Sequence, residues 1–312
     1  MKIHAWVGGA EKLQNVHSLY TALKWMATCL KNKSSPTVQE ARSVLTSTCG
    51  SDWDYLIGHF FTQPYFQRRW VLQELALGHH ITIHCGPHKL SWQWFIEGVR
   101  GLQKAVDQGL HFNDLGVIAA VKTILAIQDP SNHKLLTLLW KFHKSQCSES
   151  QDRIFALYGL AQDAKEITSV DYSEHWSETF TRVAGFYFER DKKSIWLHLA
   201  HFGSLPGKDS RGMPYPSWVP DWNNTRNSAT AIPDNNTVLL SLNNFNHSTF
   251  SYDSTKRTVQ FEGYYAGRVE SVSTRSEWTN ITWHEGKNLA LGEVLLSFFQ
   301  RPYGYLPINS KR

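Results

Sequence analysis

The sequence predicts a mixed α+β chain: an α/β layer over residues 1–112, a helical region over 113–202, an ordered Pro/Trp linker over 203–236, and an antiparallel β region with a closing helix over 237–312. Three observations carry this. In the first third, short runs with apolar side chains on alternate positions are interleaved with stripes recurring every three to four residues, the rhythm of strands and helices in one layer. From residue 115 to 200 the helical stripe persists almost without interruption. Beyond 203, Gly, Pro and Asn become abundant, and alternation then returns in TVLLSL, HSTFSY and RTVQFEGYYAGRVESV.

Taken in order, HAWVGG reads as a strand, and Leu13, Val16, Tyr20, Leu23, Ala27 and Leu30 form the stripe of an amphipathic helix that stops at KNKSSP. Residues 34–52 read as a Ser/Thr-rich connection, after which Asp52 caps a short helix bearing Leu56 and Phe60. After Pro64, Tyr65 to Leu77 read as one helix closed by Gly78. Ile81 to Cys85 follow as a strand, Gly86-Pro87 turn it, and Ser91 caps a helix with Trp92, Phe95, Val99, Leu102 and Val106 on one face. Helices are expected over 118–127, 135–143, 153–161 and 174–188, the last capped by Ser173. PSWVPDW follows in a stretch that proline keeps out of regular ladders. A turn at Asp253-Ser254-Thr255 and a helix from Leu289 to Phe299 complete the chain.

Composition narrows the function. With 41% hydrophobic residues among 312, including 13 Trp, 12 Tyr and 16 Phe, the chain buries a core and is not globally disordered. Its formal charge of +5 is spread thinly, and the tightest basic pairs, Arg68-Arg69 and Lys192-Lys193, make no phosphate-tracking stripe, so nucleic acid is not an expected partner. Cys29, Cys49, Cys85 and Cys147 form no CxxC pair, which points away from structural zinc and from a disulfide framework. Without an N-terminal targeting pattern or a long apolar run, a cytoplasmic location and no membrane partner are expected. The alternating run directly after Met1 reads as if the chain opens inside a domain.

Several residues are candidates for chemistry. QRRWVLQEL packs two arginines, a tryptophan and a glutamate ahead of a strand. Either this is a structural helix with a charged edge, or Glu74 is a carboxylate placed to act on a ligand. Arg68 and Arg69 suit bidentate phosphate binding, Arg69 being the candidate for a bound nucleotide, and equally suit salt bridges. His79, His80, His84 and His88 cluster near Cys85, but on a strand His80 and His84 share a face while Cys85 points oppositely, so no metal site is expected. Asp152, before Arg153, reads as the cap of RIFALYGLA, and Asp171, before Tyr172, as the shaper of the next turn. Trp218 and Trp222, flanking Pro220 and Asp221, read as buried anchors of the linker, as does Trp70 of its helix.

The ordered series HAWVGG, QRRWVLQELALG, IHCGPHKLSW, QDRIFALYGLA, VDYSEHWSETF, PSWVPDW and VQFEGYYAGRVESV resembles the fungal heterokaryon incompatibility (HET) domain proteins across residues 3 to 272. Gln73, Cys85, Gly86, Trp92, Asp152, Arg153, Asp171, Tyr172 and Trp218 to Trp222 are carried in those motifs. The resemblance implies a partial TIR-like HET domain, because the family's SY-x-WG-like and WIDALCINQ-like strands and its glutamate-arginine helix have no counterpart here. It also implies a role in self/non-self recognition and programmed cell death through protein contacts, with another incompatibility factor or with itself, and without a cofactor. In TIR-like relatives the segment matching RRWVLQEL carries the glutamate that attends the ribose of NAD. The same resemblance therefore offers an alternative, NAD as a substrate cleaved with Glu74 as catalytic carboxylate and Trp70 beside it. A further alternative is an accessory role in another pathway.

Overall fold

The computed structural model describes residues 2–9, 15–128, 133–167, 169–190, 202, 208, 212, 215–224, 250–253, 255–256 and 258–261. Over these residues the chain is mixed α/β and helix-rich, and it divides into two units, Met1–Gln162 and Asp163–Arg312. The second boundary implied by the sequence, within the C-terminal half, falls largely outside the described residues.

In the first unit, β1 (Lys2–Gly8) lies parallel to β2 (His80–Cys85), with Ile3 opposite Ile81 and Ala5 opposite Ile83. β2 turns back into β3 (His88–Ser91), giving the order β1-β2-β3. Period-two alternation makes this sheet two-faced: Ala5, Val7, Ile81, Ile83, Cys85 and Leu90 are buried, whereas Lys2, His4, Trp6 and His80 are exposed. Gly86 opens the hairpin at a φ of 53°, and Pro87, whose ring fixes a negative φ, follows it, the pattern of a type II′ connection.

Parallel neighbours need a crossover, here built from α1 (Val16–Lys31), α2 (Val38–Cys49), α3 (Trp53–Phe61), α4 (Pro64–Gln67) and α5 (Val71–Leu77). The buried stripe of α1, Val16, Leu19, Tyr20, Leu23, Met26 and Ala27, packs on α6 (Trp92–Asp107), which follows β3. The two helices approach so closely that a Cβ at Gly98 would lie 2.5 Å from the Leu23 carbonyl oxygen, and one at Gly101 would lie 2.8 Å from Met26 Cβ. Phe60, Phe61, Phe66 and Phe95 interlock beneath, with Phe66 stacked on Phe95 at 6.0 Å between centroids. α7 (Leu115–Ile127), α8 (Leu135–Lys141) and the single-turn α9 (Asp152–Phe155) complete the unit.

The structure departs from the sequence reading at several points. Residues 34–52 are not simply a connection, since α2 occupies most of them. Its capping box, in which Thr37 and Glu40 satisfy each other's backbone N–H, supplies what its Ser/Thr-rich composition lacks in propensity. Asp52 and Ser91 stand at the N-cap positions of α3 and α6, but neither side chain makes a capping hydrogen bond. Tyr65–Leu77 is broken into α4 and α5 by extended backbone at Arg68. Gly78 does end α5, yet with φ −74° its role is space: a Cβ there would meet Ile3 Cδ1 and Ile81 Cγ1 at 2.7 Å and the Glu74 carbonyl oxygen at 2.9 Å.

In the second unit, α10 (Ala164–Ile167) precedes α11 (Trp176–Arg190), which begins later than Ser173 would cap it. The aromatic ridge of α11, in which Trp176 meets Phe180, takes Tyr215 against Trp176, Trp222 against Phe180 and Trp218 against Phe188, at 5.1 to 5.4 Å for all four ring pairs. Buried Asp163 accepts hydrogen bonds from Tyr187 and Arg190 at 2.7 Å each. β4 (Phe250–Asp253) and β5 (Thr258–Phe261) form the antiparallel pair read from the sequence, with Asp253 Oδ1 accepting from the Thr255 and Lys256 N–H groups in the turn. TVLLSL and Leu289–Phe299 lie outside the described residues. Among those described, no helix is long and apolar enough to cross a membrane.

Two outcomes follow from this packing. Gly78→Ala is expected to lower unfolding free energy by about 2 kcal/mol, read in urea melts, because two branched side chains and a carbonyl must yield to the added methyl. The Thr37 hydrogen bonds hold the Glu40 carboxyl below its ordinary range. That contribution is present above the unfolded carboxyl pKa and disappears as pH falls through the lower folded value. Glu40→Gln therefore narrows the stability difference between neutral pH and pH 3, and an unchanged difference counts against the capping box.

Candidate functional site

The site is built on the QRRWVLQEL segment and begins with a backbone break. Pro64 opens α4, whose last turn ends at Arg68, where the Gln67 carbonyl accepts the Gln146 N–H at 2.6 Å and the Arg69 N–H donates to the Gln146 carbonyl at 2.8 Å. This pairing to a distant strand-like segment prevents the helix from continuing. It also aims Arg69 inward.

Arg69 is 1% exposed. Its Nε and Nη2 donate to the Arg153 carbonyl at 3.0 and 2.6 Å, and its Nη1 donates to the Phe142 carbonyl at 2.7 Å. Burial, and then the neighbouring Arg153, pulls the pKa of this guanidinium below its ordinary value. Arginine stays charged under such pressure, and the carbonyl dipoles replace the lost water. Arg153 works alongside it, its Nη1 donating to the carbonyls of His143 and Ser145 at 3.0 and 2.7 Å. Burial pushes the nearby Cys147 thiol up, an effect that the two guanidiniums oppose.

The neighbours of Arg69 extend the same joint. Trp70 Nε1 donates to Asp152 Oδ2 at 2.9 Å, Gln73 Nε2 donates to the Phe155 carbonyl at 3.2 Å, and a Cβ at Gly159 would come within 3.0 Å of Gln73 Oε1. The motifs QRRWVLQEL and QDRIFALYG, distant in sequence, are thus one interlocked structure. The joint also explains why Arg153–Ala161 is not a continuous helix: the Arg153 carbonyl is engaged by Arg69, and the Leu157 N–H turns instead to Ile154 at 3.0 Å. Asp152 is not the cap of that turn; Gln151 holds the cap position, and Asp152 is the first helical residue.

Glu74 stands apart from this. It is exposed on α5, and its Oε2 accepts from the Tyr65 hydroxyl at 3.3 Å. Burial and the Glu74 charge raise the Tyr65 pKa. Trp70, 38% exposed, lies one turn before Glu74, so it is a partly covered ring and not the fully buried anchor expected from sequence. Arg69 does not join Glu74 in a nucleotide site, because each of its three nitrogens donates to a backbone carbonyl inside the protein and, at 1% exposure, it has almost no surface to offer a phosphate. Cavities of about 430, 410 and 510 Å³ are lined by other residues, and Glu74 lines none of these three.

The remaining candidates are spread over the fold. Cys85 is fully buried, Gly86 donates its N–H to the Gly8 carbonyl at 2.9 Å, and Trp92 opens α6 against Phe95. His80 and His84 lie on the outward side of β2, away from Cys85. The sequence reading missed that His4 Nδ1 reaches His84 Nε2 at 2.9 Å, with Trp6 stacked on His84; parallel pairing with β1 was the needed signal. Among the described residues, no group of three or more His, Cys, Asp or Glu is arranged to hold a metal. Asp171 accepts from Ser173 N–H and Oγ at 2.8 and 2.6 Å, which lowers its pKa, and Tyr172 beside it is half exposed. Trp222 is 2% exposed and Pro220 is buried, whereas Trp218 is half-buried and Asp221 Oδ1 accepts the Asn223 N–H at 3.2 Å.

No family model, curated protein or solved structure matches the chain.

The geometry separates Arg69 from Glu74 in their effect on stability. Arg69→Met leaves two buried carbonyls without their donors and is expected to cost about 3 to 5 kcal/mol in denaturant melts. Glu74→Gln, at an exposed carboxylate, is expected to cost less than about 1 kcal/mol. Equal losses in the two variants would contradict this division of roles.

Proposed function

We propose that this protein is a HET-domain-like member of a fungal self/non-self recognition and cell-death system that acts through protein contacts. The reading starts from the ordered series of motifs across residues 3 to 272. One observation favours contact over catalysis: Arg69, Trp70 and Gln73 are all engaged with residues 152–155, while Glu74 lies on an open helix face outside the described cavities. A carboxylate that stabilises an oxocarbenium-like transition state needs a water-poor pocket that also orients the sugar. The exposed helix face, with Trp70 and Leu77 partly uncovered around Glu74, suits a protein partner better. In this reading the TIR-like character of the first unit is architectural.

Expression of the chain in a filamentous fungus, alongside incubation of the purified protein with NAD, tests the reading. Growth arrest that persists in Glu74→Gln, with no nicotinamide release, is expected. Arrest and nicotinamide release that vanish together in Glu74→Gln would move the function to NAD cleavage. Absence of arrest in the wild type would remove the cell-death role.

A further inference from the structure

A cavity of about 430 Å³ opens between the turn that follows α1 and the outward face of α6, away from the joint at Arg69. Its lining is basic: Lys33 comes from the turn, and Arg100 and Lys104, one helical turn apart, come from α6. Glu97 is the one carboxylate in the lining, and it pairs with Arg100 Nη1. A guanidinium carries five N–H donors, so that pair leaves most of Arg100 available. Lys104 Nζ reaches Ser35 Oγ at 3.4 Å, which holds the hydroxyl at the rim with its own proton free to donate.

Two features go beyond a basic surface. Lys33, with φ 57°, is the one non-glycine residue at positive φ among the described residues. Its turn is a helix stop in which the Ser34 N–H reaches the Cys29 carbonyl at 3.0 Å, a position that glycine fills without strain. A lysine held there keeps a backbone strain that glycine would relieve, and what it brings in exchange is a cation at the cavity. The second feature is Gln103 Oε1, an acceptor sealed from solvent without a hydrogen-bond partner. It sits between the two α6 cations in sequence and lines the same cavity. At the N-terminus of α2, the capping box satisfies the N–H groups of Thr37 and Glu40.

We propose that this cavity binds a small phosphate monoester that also carries hydroxyl groups. The phosphoryl oxygens meet Lys33, Arg100 and Lys104, with the Ser35 hydroxyl as a neutral donor. Rotation of the Gln103 amide away from Asp107, to which its Nε2 donates at 2.7 Å, brings Oε1 to the cavity, where a hydroxyl of the carrier donates to it. The volume suits a ligand of that class, and the site is independent of the role proposed above.

The test is calorimetric titration of the full chain with glycerol 3-phosphate, with inorganic phosphate, and with sodium chloride at matched ionic strength. Saturable one-to-one binding of glycerol 3-phosphate is expected, with a weakening of about tenfold or more in the Arg100→Gln/Lys104→Gln double variant. Gln103→Leu should weaken glycerol 3-phosphate and leave inorganic phosphate unchanged. Lys33→Gly should raise the thermal midpoint of the free protein and lower the affinity. The proposal is overturned if the phosphate ester gives no more heat than matched chloride, or if the double variant binds it as the wild type does. A Lys33→Gly protein that is more stable with unchanged affinity would remove Lys33 from the site, and inorganic phosphate binding as tightly as the ester would remove the hydroxylated carrier.

Discussion

The first unit is organised around a charge with no water. Taking the Arg69 guanidinium out of solvent is costly, and the protein offsets that cost with three hydrogen bonds to backbone carbonyls. The arrangement sets conditions on everything near it. Arg68 must leave helical geometry so that Gln67 and Arg69 pair with Gln146, and the backbone after Arg153 must tighten into short-range turns because its first carbonyl is occupied. The direction of α5, and with it the closeness of Gly78 to Ile3 and Ile81, follows from where that break is placed. A lysine could not substitute, because a single ammonium cannot span the Arg153 and Phe142 carbonyls as a fork does.

That joint also clarifies what the motif residues do. Trp70, Gln73, Asp152 and Arg153 have the look of a reactive constellation when read as letters, with an indole, an amide, a carboxylate and a guanidinium in short compass. Their partners show them fastening two segments together. Of the QRRWVLQEL residues considered, Glu74 is the one whose side chain turns outward to Tyr65. Polar residues at regular spacing therefore carried architecture here, and fold-level likeness says little about chemistry until each donor has been assigned.

Much of the fold was legible because it rests on local periodicity. The strands at HAWVGG and Ile81–Cys85, the Gly86-Pro87 turn, the α6 face and the 250–261 hairpin all follow from alternation, helical spacing and turn chemistry. The α2 helix was hidden because its Ser/Thr-rich composition masks a stripe of three buried residues, although Thr37-x-x-Glu40 was present as a capping signal. The break at Arg68 was illegible for a different reason: its cause is Gln146, a long-range partner that no window of neighbouring residues contains. The site was less legible than the fold. The types of Arg69 and Glu74 suggested a shared ligand, and only the direction of each side chain, inward for one and outward for the other, separates them.

The parallel pairing of β1 with β2 has a consequence in time. The β2-β3 hairpin can form from its own short loop within microseconds, whereas β1 must wait until the whole stretch from Gly9 to His79 has been gathered into a crossover. Closing that large loop spends chain entropy before any strand hydrogen bond returns it, so the contact belongs to the slow, non-local class that limits folding rates. During that interval the inner edge of β2 stands open beside Ile81 and Ile83. A nascent chain of this design is therefore most exposed to misassembly after its hairpin has formed and before its first strand has come home.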